Sequence, residues 1–309
     1  MGVSSNRPAL NGTGRTADRR SVSLRQAVSI RRLGAASAAF GLLLLAGCSE
    51  STQREFARLG LPEAASDRAP YIHDLWIGTW IAAGVIGVGV WGLIGWVSFR
   101  YKTNHNDMPR QTRYNLPMEI FYTLAPFVVI GVLFYYTILA QNHVQAKVQD
   151  PDVTIDVVGQ KWAWTFNYKE ADNPEVKSDV WDAGTINETT DLYLPVGKSV
   201  RFTLQSPDVN HSFWIPAFYT KLDVIPGRRN TFDVTPNKEG VFAGKCAELC
   251  GTYHSTMLFN VHIVPEAEYN AYLKTLVDRG QTGEAKGPKN ADPVGTNAQF
   301  DQQKVGGSR

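Results

Sequence analysis

Hydropathy changes its period along this chain. From Leu75 to Phe99 no charged residue occurs over 25 positions, and Trp76, Trp80, Trp91 and Trp96 stand toward the two ends. A bilayer core asks for about 20 apolar residues in a helix, with aromatic rings at its interfaces. A second uncharged run, Ile120 to Ala140, carries Pro126 in its first third. Neighbouring helices tolerate such a proline in a membrane. From Val153 the period becomes two. Val153, Ile155 and Val157 alternate with polar residues, as do Trp162, Trp164, Phe166 and Tyr168. Val200, Phe202 and Leu204 follow, then Phe232 and Val234, and last Phe259, Val261 and Ile263. Alternation broken by Pro and Gly turns predicts an antiparallel β-sandwich. Glu266 to Arg279 reads as a helix with Tyr269, Tyr272, Leu273, Leu276 and Val277 on one face, ended by Gly280.

Charge then orients these elements. Arg100, Lys102, Arg110 and Arg113 stand against Asp107 between the two apolar runs. Basic loops stay cytoplasmic, so both termini and everything after Gln141 are expected outside. Residues 1–47 read as a targeting segment, with seven Arg against Asp18 and an apolar run, Leu33 to Gly47, too short to span a bilayer. That run ends Leu-Ala-Gly-Cys at Cys48, which resembles a bacterial lipoprotein cleavage box; Cys48 would then carry the lipid. An ordinary signal peptide with an incidental Cys is the alternative. The expected division is leader 1–47, linker 48–70, helical hairpin 71–143 (about 75–99 and 120–140), sandwich and C-terminal helix 144–280, and disordered tail 281–309.

Composition excludes little. With 309 residues, 43% hydrophobic and a net charge of +2, the chain is neither disordered nor a strong nucleic-acid binder, and no nucleic-acid partner is expected. Three Cys cannot build a disulfide scaffold, and no C-x-x-C-H attaches a haem. Seven acids between Lys169 and Asp191 would make a face able to steer a basic partner, or an ordinary solvated loop.

The chemistry lies in Cys246 to Met257, C-A-E-L-C-G-T-Y-H-S-T-M. Two thiols, an imidazole and a thioether suit copper, zinc or iron–sulfur centres. A blue-copper site needs one Cys, so the second thiolate must be explained. Two thiolates on a tight loop can bridge two coppers. His254 can serve one and His211, in D-V-N-H-S-F-W-I-P, the other. Met257 and a backbone carbonyl near Glu248 supply weak axial donors. A disulfide would leave the His and Met unexplained, and a Cys2His2 zinc site has little use for Met257.

The pattern C-x-E-x-C-x-x-x-H-x-x-M resembles the dinuclear copper A site of the cytochrome c oxidase subunit 2 family. So do G-Q-K-W-A-W-T-F from Gly159, N-H-S-F-W-I-P from Asn210 and K-L-D-V-I-P-G-R from Lys221, in the family's order. The likeness runs from about Leu75 to Leu276. It implies an α+β membrane protein, a two-helix transmembrane hairpin followed by an extracytoplasmic cupredoxin-like Greek-key sandwich, in a bacterial cell membrane. It implies an oxidoreductase subunit that takes electrons from cytochrome c, or a cytochrome c domain of a bc1 complex. They pass to haem a of a haem–copper partner, subunit 1, where oxygen is reduced and protons are pumped. Carried over by residue, the resemblance implies copper held by His211, Cys246, Glu248, Cys250, His254 and Met257. It makes Trp162 the point of electron input and Glu119 the entrance of a proton path. Glu248 and Asp223 belong to a magnesium region at the subunit interface, and Arg228 points toward the partner's haem propionates. Trp164 reads as core, and His262 as structural or on the surface. The rivals are a copper A subunit of a nitric oxide reductase and a non-enzymatic copper carrier. A quinol oxidase subunit would lack the ligands, and nitrous oxide reductase carries a further large domain.

Overall fold

The computed structural model describes residues 50–102, 108, 111–171 and 173–285. Cys48 and the leader lie outside the described residues. A short helix, α1 (Glu50–Ala57), stands in a unit of its own, with an exposed Arg54–Glu50 ion pair and no buried residue.

The described residues from Leu61 onward form a second unit. It begins with two long helices, α2 (Ala69–Arg100) and α3 (Leu116–Val144), each apolar enough to cross a membrane. Only Ala69 and Ala140 in them are buried, so the apolar side chains face outward, as lipid would require. Both helices run past the expected 75–99 and 120–140. Hydropathy marks the lipid-crossing core, while caps in polar sequence set the helix ends. Pro70 opens α2. The Asn115 side chain accepts from Met118 N at 3.4 Å, and Glu119 Oε1 accepts from Asn115 N at 2.9 Å. This reciprocal cap resembles a capping box.

Among the described residues ten strands follow: β1 (Val153–Gln160), β2 (Ala163–Tyr168), β3 (Val180–Ala183), β4 (Thr190–Pro195), β5 (Val200–Gln205), β6 (His211–Ile215), β7 (Thr220–Val224), β8 (Asn230–Val234), β9 (Gly240–Cys246) and β10 (Leu258–Val264). They form two five-stranded sheets, ordered β3-β2-β1-β5-β8 and β4-β10-β9-β6-β7. The sandwich is not wholly antiparallel, because β1 pairs with β5 and β4 with β10 in parallel. Alternation reports which face is buried and carries no strand direction, so the sequence could not show this. Trp164, Phe166, Phe202, Phe213 and Phe259 fill the space between the sheets, with Phe213 stacked on Phe259 at 5.0 Å. Strand β9 passes flush beneath that stack only because residue 244 is glycine: a Cβ there would lie 2.1 Å from the Phe259 ring. By strand direction, the β1–β2, β5–β6, β7–β8 and β9–β10 connections emerge at one end. The opposite end receives the chain from α3.

Two boundaries shift. The expected linker is fixed to the sandwich near its end. Ala65 N donates to Ala217 O at 2.9 Å, Asn237 N to Ala65 O at 3.1 Å, and Thr235 N to Asp67 Oδ1 at 2.8 Å. Ala65 and Ser66 are fully buried. So short a segment of small and polar residues shows no period to read. The expected tail likewise does not begin at 281. After α4 (Glu266–Asp278), Trp181 N donates to Gln281 O at 3.0 Å, and Asn167 exchanges two hydrogen bonds with the buried Ala285. Residues 286–309 lie outside those described.

Three acids of the acid-rich stretch bind other elements of the domain. The Glu170 carboxylate accepts from Tyr269 OH at 2.6 Å. Asp182 accepts from Thr190 at 2.8 Å and from Tyr272 OH at 3.2 Å. Asp191 meets Asn260 at 2.9 Å and His262 at 3.2 Å. These acids seat α4 and the sheet edge.

Candidate metal centre

The strand ends set the ligand positions. Strand β9 delivers Cys246, whose backbone N donates to Met257 O at 3.0 Å and so closes the loop at its base. Ala247 N donates to Ser212 O at 3.0 Å, tying the loop to β6. Within it Gly251 takes φ +123°, a region L side chains rarely adopt, and a 3-10 turn over His254–Thr256 brings His254 and Met257 back toward Cys250.

The result is two thiols, each with its own imidazole. Cys246 Sγ lies 3.9 Å from His211 Nδ1 and 3.3 Å from the Glu248 carbonyl oxygen. Cys250 Sγ lies 3.6 Å from His254 Nδ1 and 3.9 Å from Met257 Sδ. The sulfurs are 3.9 Å apart and unbonded, against about 2.05 Å in a disulfide. The ligand atoms of His211, Cys246 and Cys250 fall within 4.8 Å of one another, and all three residues are buried. Two thiols, two imidazoles, a thioether and a carbonyl exceed the four donors of a tetrahedral zinc site. Soft donors in that number fit a pair of copper ions.

Electrostatics follow the geometry. Cys246 is held far below the ordinary thiol range by the hydrogen bond from Cys250 and by His211, against the effect of burial. Cys250 is pushed up by its charged neighbour, Cys246, and by burial. Burial disfavours a charged His211 ring, but Asp208 and Cys246 outweigh it and raise the pKa.

Two tryptophans flank the loop. Trp164 is 1% exposed, within the core, and its indole N–H donates to Met257 O at 3.3 Å. Trp162 is half-buried in the two-residue β1–β2 turn. Its N–H donates to Cys250 O at 3.2 Å, and its ring meets Tyr253 edge-on at 5.0 Å. A Cβ on Gly251 would sit 3.1 Å from that ring. The Glu248 side chain is exposed while its carbonyl faces Cys246. Asp223 stands at the end of β7, 3.9 Å from Lys221 Nζ, and Arg228 is exposed in the β7–β8 turn. Glu119 is on α3, away from this cluster, in the helix cap. His262 stacks on Tyr193 at 4.4 Å.

Sequence reading missed Asp208. Its side chain is 3% exposed and lies 2.9 Å from His211 Nε2. The available signal was a carboxylate three residues before a candidate ligand, in D-V-N-H.

Residues 153–264 match the family model for the periplasmic domain of cytochrome c oxidase subunit II. A probable cytochrome c oxidase subunit 2 of Streptomyces coelicolor is 43% identical over 274 residues, covering 78% of this chain and 86% of that protein. The chain belongs to the cytochrome c oxidase subunit 2 family. Cytochrome c oxidase subunit 2 of Mycobacterium tuberculosis is 34% identical over 324 residues, covering 88% of this chain and 87% of that one. Among solved structures, the periplasmic domain of subunit II of cytochrome oxidase from Bradyrhizobium japonicum is 29% identical, with a TM-score of 0.38. It covers 43% of this chain and 99% of that domain. As a subunit 2 the protein is part of an oxidoreductase complex, a membrane protein with an extracytoplasmic cupredoxin-like domain. The family implies a copper A centre, and the donor set is chemically suited to one.

Proposed function

We propose that the chain is the electron-input subunit of a bacterial cytochrome c oxidase. One observation carries the reading: each of two buried thiols has its own imidazole, and a thioether and a carbonyl complete the two halves. His211, Cys246, Cys250, His254, Met257 and the Glu248 carbonyl would hold two coppers, which supply one-electron redox chemistry when bound. The protein's part is to fix the donors and keep water out. Cys246, Cys250, Met257 and His211 are all nearly inaccessible, and the loop is tied to β6 and closed on itself. Rigid, dry donors need little rearrangement when charge passes, which suits a relay better than a substrate site. Trp162 offers a partly exposed π surface joined through its N–H to the backbone of Cys250, and is the input point for a cytochrome c or cytochrome c domain.

The acceptor in this reading is haem a of a haem–copper subunit 1, which would supply the oxygen chemistry. On the partner-facing side, Arg228 would pair with its haem propionates, and Glu248 and Asp223 would offer carboxylates to an interfacial magnesium ion, a hard cation that suits oxygen donors. Glu119, half-buried at the loop end of α3, opens a proton path into that subunit. The sandwich and both termini face outward from the cell membrane. Cys48 carries a lipid; an intact mass without an acyl-glyceryl group there would remove this element alone.

Copper content and electron paramagnetic resonance of the purified full-length protein test the main reading. Two coppers per chain sharing one unpaired electron over equivalent nuclei are expected. A single copper with the hyperfine pattern of one nucleus would support a carrier instead.

A further inference from the structure

We infer that Asp208 is a positioning residue that joins the two working parts of the relay: one buried carboxylate orients the ligand ring of His211 and anchors the turn that carries Trp162. The inference rests on the copper-relay reading above.

The two contacts come from different segments: His211 opens β6, and Lys161 lies in the β1–β2 turn. Asp208 Oδ1 lies 2.9 Å from His211 Nε2, and Oδ2 accepts from Lys161 N at 2.7 Å. Lys161 is the residue before Trp162 in the two-residue β1–β2 turn. The carboxylate is itself held firmly. Val209 N donates to Oδ1 at 2.6 Å, Asp208 N donates to Ser206 Oγ at 3.2 Å, and Ser206 Oγ donates to Val209 O at 2.6 Å. These local bonds account for an ordered β5–β6 connection. They do not account for the two contacts reaching out of it. A carboxylate opposite Nε2 selects the tautomer with its proton there, which leaves the Nδ1 lone pair directed at Cys246 Sγ. Trp162 is fixed on its other side by Cys250 O and by its fit against Gly251. The turn is therefore pinned to the ligand Cys250 through the indole and to the ligand His211 through Asp208.

Chemistry makes the aspartate hard to replace. All of its named partners are donors, and an ionised carboxylate is acceptor-only. Asn has the same shape but must set an NH2 group against either the Lys161 N–H or the imidazole N–H. With a side chain only 3% exposed, water cannot readily relieve that clash.

The test uses the full-length protein in its assembled oxidase, copper-loaded and copper-free. In Asp208→Asn the Lys161 amide should exchange about tenfold faster or more, which is the loss of one hydrogen bond to a charged group. This should hold without copper. In the loaded protein the variant should shift the copper hyperfine pattern and slow reduction by a cytochrome c donor. That slowing should not add to the loss caused by Trp162→Ala, because both act through one element. Unchanged exchange at Lys161, or fully additive losses, would overturn the inference. If Asp208→Asn does not fold, the parent decides: a Lys161 amide exchanging as fast as an open turn removes the anchor. A parent holding one copper defeats the relay reading instead, and the copper-free amide result still judges the link from Asp208 to Lys161.

Discussion

Each end of the sandwich turns on one buried aspartate, and the two do different work. At the metal end Asp208 takes the Lys161 N–H from one connection and faces the His211 ring. At the opposite end Asp233, with no exposed side-chain surface, takes the Val148 N–H from the segment that leaves α3. It also pairs with Arg201 through two hydrogen bonds of 2.9 and 2.7 Å. Both carboxylates fasten an incoming piece of chain to a strand. They differ in the third partner. Arg201 is a permanent cation that can do nothing but stay charged, so Asp233 is a structural clasp. It works beside Arg68, which donates to His143 O and to Ala146 O, and Lys147, which donates to Thr231. His211 is a ring with a second nitrogen committed to a thiol. Burial with full hydrogen bonding is common to both sites, so the function of a buried carboxylate has to be read from what its partner can still do.

The largest expected effect breaks the metal end and leaves the other intact. Cys246→Ser or Cys250→Ser removes one of the two thiols proposed to hold copper, and the shared-electron copper signal should disappear. The circular dichroism of the sandwich should persist, since the core aromatics and the Asp233 clasp are untouched. Unfolding of both variants would mean that the two ends are not separable. Next is the reverse experiment. Arg201→Leu leaves the buried Asp233 with the Val148 N–H and, at 3.8 Å, the Lys147 ammonium. Removing one member of a buried pair costs up to about 5 kcal/mol; because Arg201 is partly exposed, about 3 kcal/mol is expected by denaturant titration. Copper spectra of the folded fraction should match the parent.

A smaller effect separates the two ends by pH. Burial alone would raise the Asp233 carboxyl, but the Arg201 hydrogen bonds, the Val148 N–H and Lys147 hold it below the ordinary range. Its contribution to stability is therefore present in full above the unfolded value of about 3.9 and is lost as pH falls through the lower folded value. The thermal midpoint of the parent should fall between about pH 4 and about pH 2 more steeply than that of Arg201→Leu, which has already lost most of the pair. Equal slopes would assign the acid sensitivity to other carboxylates, such as Asp152, which Ser199 also holds low.

How much of this was legible depends on how local each feature is. The hairpin could be read because lipid imposes length and charge rules on contiguous residues. Its ends could not, because Asn115 and Glu119 are outnumbered by the apolar residues around them. The candidate donors could be picked out because five of them lie within twelve residues and the sixth stands in a motif. Strand faces were visible in the alternation, whereas the parallel pairs β1–β5 and β4–β10 depend on crossovers that no local pattern encodes. The Asp233–Arg201 clasp is a directly opposed register pair of β5 and β8, visible only once that register is known. Asp208 sits between these cases. Its link to His211 spans three residues and could have been noticed, but its link to Lys161 spans 47.

The finest test keeps an aromatic ring at residue 162 and removes the indole N–H with the five-membered ring that carries it. Trp162→Phe preserves an aromatic face against Gly251 and Tyr253 but loses the donor to Cys250 O. That carbonyl belongs to a proposed ligand residue in a half-buried setting, so the loss should cost about 1 kcal/mol in stability. Copper content should be unchanged, since no donor atom is removed. Electron input, followed by stopped-flow reduction at low and high salt, should slow at both ionic strengths, because the lost contact is internal and the docking charges are the same. A rate reduced only at high salt would place the effect in partner binding, and an unchanged rate would leave Trp162 as packing for the thiol loop. The same substitution is expected to leave the acid transition at Asp233 where it was. That result would show that the metal end can be altered at the Trp162 indole without the opposite end registering it.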